Sequence, residues 1–225
     1  MKKLTIITCE ALQPELEQIS AADPDIEIIH LEQHYHNTPD LLPPILQDLI
    51  DKVSCHTEKI VLGYGLCSNA ISGIIAPTQG IIVPKCHDCI ALFLGGHDIY
   101  KKEMNEHPGT FFITPGWINT KADPLGFMEE KCVPRMGREA AEFAAILTLE
   151  HYSHIAFINT GYDDIENARI KAKENAFFFK KKYKELNGTL NYFKKIIYGP
   201  YDEEYFFFFK KGEKINSNIF LEKCF

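Results

Sequence analysis

Cys9, Cys67, Cys86, His87 and Cys89 are the side chains through which this chain is best equipped to do chemistry, with His36 and His97 as further candidates. Thiolate and imidazole are ligands for zinc, copper(I) or an iron–sulfur cluster, and a thiolate near a helix N-terminus has a lowered pKa that favours metal binding. Three converging cysteines suit a cluster with one open iron; three ligands plus water equally suit a catalytic zinc. Cys86 and Cys89 are separated only by His87 and Asp88, so both sulfurs can reach one ion at a helix start. That is also the spacing of a redox dithiol, but the preceding aromatic and central proline of a thioredoxin-like motif are missing. A third reading is structural, because free cysteine is a common small core residue. Cys55, Cys132 and Cys224 carry no supporting motif and read as inert.

The elements that would position these groups are short apolar runs. Leu4-Thr5-Ile6-Ile7-Thr8 ends at Cys9, Ile60-Val61-Leu62 leads into Gly63-Tyr64-Gly65-Leu66-Cys67, and Ile81-Ile82-Val83 leads into Pro84-Lys85-Cys86-His87-Asp88-Cys89. Strand, turn and helix in succession imply an α/β class: a mainly parallel, Rossmann-like sheet with helices on both faces and a site at the strand C-termini. The length of 225 residues fits one α/β domain over 1–225, or two coupled lobes of about 1–110 and 111–225. Further strands are expected at 26–31, 110–114, 154–159, 191–198 and 204–210. Helices are expected at 10–19, after Thr38-Pro39, at 68–75, 90–94, 97–106 and 137–152, and over 165–186 with Asn187-Gly188 as its C-cap. The 137–152 helix carries Phe143, Ile146 and Leu147 on one face. Residues 119–136 lack periodicity and form a candidate lid.

Other side chains carry two readings each. Asp88 either orients His87 or caps the following helix. Tyr162, Asp163 and Asp164 bind a ligand or cap a helix; Trp117 walls a pocket or packs in the core. His34-Tyr35-His36 supplies a ligand or base, or lies on the surface. Gly63-Tyr64-Gly65 begins a phosphate-binding turn, but Ser68 stands where a third glycine would complete it. The net charge of −7 argues against nucleic acid or an anionic membrane as partner. No apolar run approaches the roughly 18 residues that span a bilayer, and no signal peptide follows Met1-Lys2-Lys3, so a cytoplasmic location is expected. Seven cysteines in such a chain point to metal or thiol chemistry rather than disulfides.

Taken together, I-I-T-C-E-A-L, H-N-T-P, G-Y-G-L-C-S-N, P-K-C-H-D-C-I-A-L-F-L-G, P-G-T-F-F-I-T-P-G-W and N-T-G-Y-D-D resemble the bacterial and archaeal proteins grouped as domain of unknown function family 1638. The resemblance marks Cys9, His36, Cys67, His87 and Cys89 as the functional set and leaves Cys86 outside it. It also implies a neighbourhood of corrinoid-dependent methyl transfer. The expectation is a metal centre, iron–sulfur or zinc, on Cys9, Cys67, His87 and Cys89, acting on a small molecule with His36 or Tyr162 in proton transfer. A corrinoid protein or methyltransferase is the expected partner. A non-catalytic binding module and a metal-free thiol enzyme are the alternatives.

Overall fold

A computed structural model describes residues 1–20, 23–67 and 69–223, so Cys224 lies outside the described residues. The chain opens with β1 (Leu4–Cys9), α1 (Gln13–Ser20), β2 (Ile26–Leu31), α2 (Leu42–Val53), β3 (Ile60–Gly63), β4 (Ile81–Pro84), α3 (Ile90–Leu94) and α4 (His97–Glu106). It continues through β5 (Thr110–Ile113), α5 (Pro115–Asn119), α6 (Pro124–Phe127), α7 (Val133–Met136), α8 (Arg138–Thr148), β6 (His154–Asn159) and α9 (Ile165–Phe178). The last elements are β7 (Lys182–Asn187), α10 (Asn191–Tyr198), β8 (Phe206–Phe209) and α11 (Asn218–Lys223).

The α/β class with mostly parallel strands and helices around them holds, and the strands divide between two sheets. The first has the order β2-β1-β3-β4-β8, with only β8 antiparallel; the second is β5-β6-β7, all parallel. Every residue of β1, β3 and β4 is buried, as near-continuous apolar runs covered on both faces must be. The main core lies around the first sheet and takes in Phe112, Ala156 and Ile158 from the second. A smaller cluster of Ile113, Phe157, Ala168, Ala172 and Phe179 sits between the second sheet and α9.

The two sheets meet at their strand C-termini. A Cβ at Gly116, just after β5, would stand 1.9 Å from the Ala11 carbonyl oxygen just after β1, so only glycine allows α5 to lie on that turn. Thr160 after β6 donates its hydroxyl to Glu15 Oε1 of α1 at 2.9 Å, both residues being buried. Thr189 after β7 donates its N–H to the Phe93 carbonyl of α3 at 2.9 Å.

Several elements differ from the sequence expectation. Residues 69–75 form turns, not a helix, because Cys67, Asn69 and Gly73 take positive φ values of 45°, 70° and 90°. Thr38 makes no side-chain cap; Pro39 begins a single 3₁₀ turn before α2. The helix from Ile165 stops at Phe178; Lys180 turns at φ 54°, and the polar stretch Lys182–Asn187 pairs with β6 as an edge strand. Its lysines protect that edge, and Arg169 holds Glu185 at 3.0 Å. Asn191–Tyr198 is a helix, burying Tyr192, Phe193, Ile196 and Ile197 along one stripe. Residues 119–136 are a run of short helices, pinned where Asp123 caps α6 and buried Asn175 donates to Asp123 and accepts the Leu125 N–H. On α8, Phe143, Ile146 and Leu147 face outward at 71, 54 and 55% exposure, and Ala141 is the residue turned inward.

Candidate functional site

Cys9 ends β1, Cys67 ends the turn after β3, and Cys89 ends the turn after β4. The last two turns are laced together: Leu66 and Cys67 donate their N–H groups to the Cys86 and His87 carbonyls at 3.2 and 3.0 Å. Gly65 makes that lacing possible, since a Cβ there would meet the Asp88 Cα at 2.9 Å. Cys67 itself takes a left-handed backbone, φ 45°, a costly conformation for a non-glycine residue and one that gathers at functional sites.

The charges of all three thiols reach Tyr64. Its phenol, 1% exposed, is held well above its ordinary range by burial and then by the charges of Cys9, Cys67 and Cys89. Cys67 is pushed up to about 12 by burial and by the Asp88 and Cys9 charges, against backbone hydrogen bonds from Gly65 and Cys89. Cys89 is raised well above the thiol range by burial and then by Cys67, Asp88, Cys9 and Cys86. Cys9 is pushed up to about 12 by burial, opposed by the Ala11 N–H. Its thiol donates to Gln33 Oε1 at 2.7 Å. Thiols so placed stay protonated at neutral pH and are poor nucleophiles, whereas a bound metal ionises them by replacing their protons. As the side chains stand, no group of three or more His, Cys, Asp or Glu among the described residues is arranged to hold a metal ion.

A cavity of about 730 Å³ opens over Cys67 and Cys89. Much of its lining is aromatic. Phe111 meets Trp117 at 5.7 Å and 83° and Tyr152 at 5.3 Å and 71°, and Tyr100 meets Phe112 at 5.9 Å and 60°. His36 lies on the wall 6.4 Å from the Tyr64 ring, and burial lowers its pKa, so it is a neutral base at pH 7. Asp88 also lines the cavity. One of its carboxylate oxygens accepts the Ile90 N–H at 2.9 Å, starting α3, and the other accepts the Tyr100 hydroxyl at 2.7 Å. The capping role of Asp88 therefore stands, and His87 Nδ1 is 4.0 Å away. The Trp117 indole Nε1 is buried with no hydrogen-bond partner. A second cavity, sharing His36 and Trp117, carries Lys121, Lys131 and Arg135.

Cys9, Cys67 and Cys89 thus act on Tyr64 through their charges, and Cys67, Cys89 and His36 line one cavity. Cys86, fully buried, adds its charge to Cys89. His87 gives its backbone carbonyl to Cys67 and keeps a ring about one-third exposed, beyond the residues lining the cavity. His97 likewise lies off that wall, near the charges of Lys101, Asp98 and His87. Tyr162 is not brought to the cavity. It stands after β6, where Asp164, Glu15, Glu17 and Asp163 surround it with negative charge. Gln33, Tyr64, Tyr100 and Tyr152 were not singled out from the sequence as site residues. Tyr64, flanked by Gly63 and Gly65 next to Cys67, is the one whose position carried a signal.

No helix among the described residues is long and apolar enough to cross a membrane. No curated protein and no solved structure matches the chain. The family described as "Protein of unknown function (DUF1638)" matches residues 30–197, three-quarters of the length, and the chain belongs to that family.

Proposed function

We propose that this protein binds a small molecule in the aromatic cavity and acts on it through a metal centre, zinc or an iron–sulfur cluster, held by Cys9, Cys67 and Cys89. One observation carries the reading: three cysteines far apart in sequence stand at or beyond three separate strand ends, each near enough to Tyr64 for its charge to act on the phenol, and two of them line a substrate-sized cavity. Binding a metal requires the Cys9 thiol to leave Gln33 and turn toward its partners. The three thiolates would hold the metal, which would supply Lewis-acid polarisation of the ligand, and His36 would serve as the base. His87 remains a further ligand candidate only if its ring swings inward. The site belongs to a cytoplasmic metal-dependent enzyme or accessory factor, with a corrinoid protein or methyltransferase as the partner that the family resemblance suggests. The metal-free thiol enzyme is the weaker reading, because a nucleophilic cysteine needs a depressed pKa and burial acts here in the opposite sense.

Elemental analysis and an absorption spectrum of protein purified without oxygen test this directly. Stoichiometric zinc, or iron with sulfide and absorption near roughly 400 nm, is the expected result. Cys67→Ala should abolish the stoichiometric metal while leaving the thermal unfolding transition cooperative. Metal at full occupancy in Cys67→Ala, or a wild-type protein without metal whose thiols all titrate freely, would overturn the assignment.

A further inference from the structure

The same cavity has a charge and a surface that select among small molecules. Among the described residues no lysine or arginine lines it, and Asp88 is the one carboxylate on its wall. The basic side chains of the neighbourhood, Lys121, Lys131 and Arg135, lie in the adjoining cavity beyond Trp117 and His36. Among its lining residues, Phe111 packs edge-to-face with Trp117 and with Tyr152, and Tyr100 does so with Phe112. In an edge-to-face pair one ring lends its face and the other only its edge, so ring faces remain for a third group. Aromatic faces carry the negative side of the ring quadrupole, and ligand cations, quaternary ammonium above all, bind against them. A buried indole N–H with no partner is costly to leave unmade, and Trp117, which has one, lines both this cavity and the adjoining one.

We infer that the cavity over Cys67 and Cys89 binds an organic ammonium ion that also carries an oxygen acceptor, the ammonium seated among the Phe111, Trp117 and Tyr152 rings near Asp88. This rests on the reading of the cavity as the ligand site, and it names the class of ligand independently of the metal. Anionic small molecules are disfavoured there by Asp88 and by any ionised thiol. Neutral apolar ones gain the burial but not the cation–π attraction or the carboxylate.

Trp117 is the single tryptophan of the chain, so its emission reports on the cavity without labelling. The full-length protein is titrated at constant ionic strength with choline, with tetramethylammonium, and with 3,3-dimethylbutan-1-ol, the neutral isostere of choline. Metal content is measured on the same sample. Saturable changes are expected for both cations, with choline tighter than tetramethylammonium and the neutral alcohol at least about tenfold weaker than choline. Asp88→Asn keeps an acceptor for the Ile90 N–H and should weaken choline about tenfold without weakening the alcohol. Phe111→Leu is the second variant, expected to weaken both cations several-fold. Equal affinity for choline and the alcohol would overturn the inference, as would the absence of a saturable response to either cation. Metal present without cation binding removes the ligand class and leaves the metal reading. Cation binding without metal supports the ligand class and removes the metal centre.

Discussion

The end of β1 and the turns after β3 and β4 carry Cys9, Cys67 and Cys89, whose charges act on Tyr64, whereas the turns after β5, β6 and β7 carry Pro115-Gly116, Thr160-Gly161 and Gly188-Thr189 and no cysteine. Both sets sit at the C-terminal ends of parallel strands, where open α/β sheets collect side chains. On the first rim the side chains are thiols, and two of them, Cys67 and Cys89, open on a cavity. On the second they are small, and the backbone comes close enough to touch the first rim: Gly116 lies on Ala11, and Gly188 lies against Phe93. Identical strand geometry thus yields a site on one rim and a joint on the other.

Glycine marks both, and substituting it separates them. Gly116→Ala should cost about 3 kcal/mol or more in urea unfolding, since its Cβ would stand 1.9 Å from a backbone oxygen that cannot rotate away. Gly65→Ala, with its Cβ 2.9 Å from the Asp88 Cα, should cost about 2 kcal/mol and part the Cys67 and Cys89 turns, lowering metal content along with stability. A larger stability loss at Gly65 than at Gly116 would break the division into site and joint.

The first rim was the more legible in sequence. Its strands are short apolar runs rich in β-branched residues, each leading to a cysteine at its end or in the turn that follows. The second was harder. β7 is Lys-Tyr-Lys-Glu-Leu-Asn, an edge strand without an apolar signature, so it read as the continuation of α9. Asn191–Tyr198 is rich in aromatic and β-branched residues and read as a strand, yet Tyr192, Phe193, Ile196 and Ile197 have helical spacing and tertiary packing decided. The separation into two sheets depends on β8 pairing antiparallel with β4, from Ile81 opposite Phe209 to Pro84 opposite Phe206, a contact no local pattern encodes. The outward face of α8 was likewise invisible, because Phe143, Ile146 and Leu147 have the spacing of a core-facing stripe.

The joint contains a titratable group of its own, and the comparison sharpens there. Glu15 is fully buried, its Oε1 accepts from Thr160, and its Oε2 has no partner. Burial raises its carboxyl from 4.5 to about 7, with the Thr160 hydrogen bond opposing. Between those two values the folded chain holds a proton that the unfolded chain has lost. The contribution to stability is therefore present below about pH 4.5, falls by about 3 kcal/mol as pH rises to 7, and is flat above. Glu15→Gln keeps an acceptor for Thr160 and carries no charge. Its advantage over wild type should be near zero at pH 4.5 and grow to about 3 kcal/mol by pH 8, measured by urea unfolding at each pH. Parallel pH profiles for the two proteins would show that the carboxylate reaches water and that the joint is looser than its packing indicates.

On the site rim the corresponding carboxylate is Asp88, and its smaller consequence follows from its access to solvent. Asp88 is partly exposed and has a partner for each oxygen, Ile90 N–H and Tyr100 hydroxyl. The Tyr100 phenol is raised above its ordinary range by burial and then by the Asp88 charge, so it remains the donor at every pH at which the protein folds. Tyr100→Phe removes one charge-assisted bond while water can take its place, so global stability should fall by only about 1 kcal/mol. The loss should be local: amide exchange at Ile90 and through α3 and α4 should quicken, since Tyr100 ties the start of one helix to the other, while β6 amides keep their protection. Equal acceleration in both sheets would mean that site and joint unfold as one unit, and the functional rim would then have no independent freedom to rearrange around a metal or a ligand.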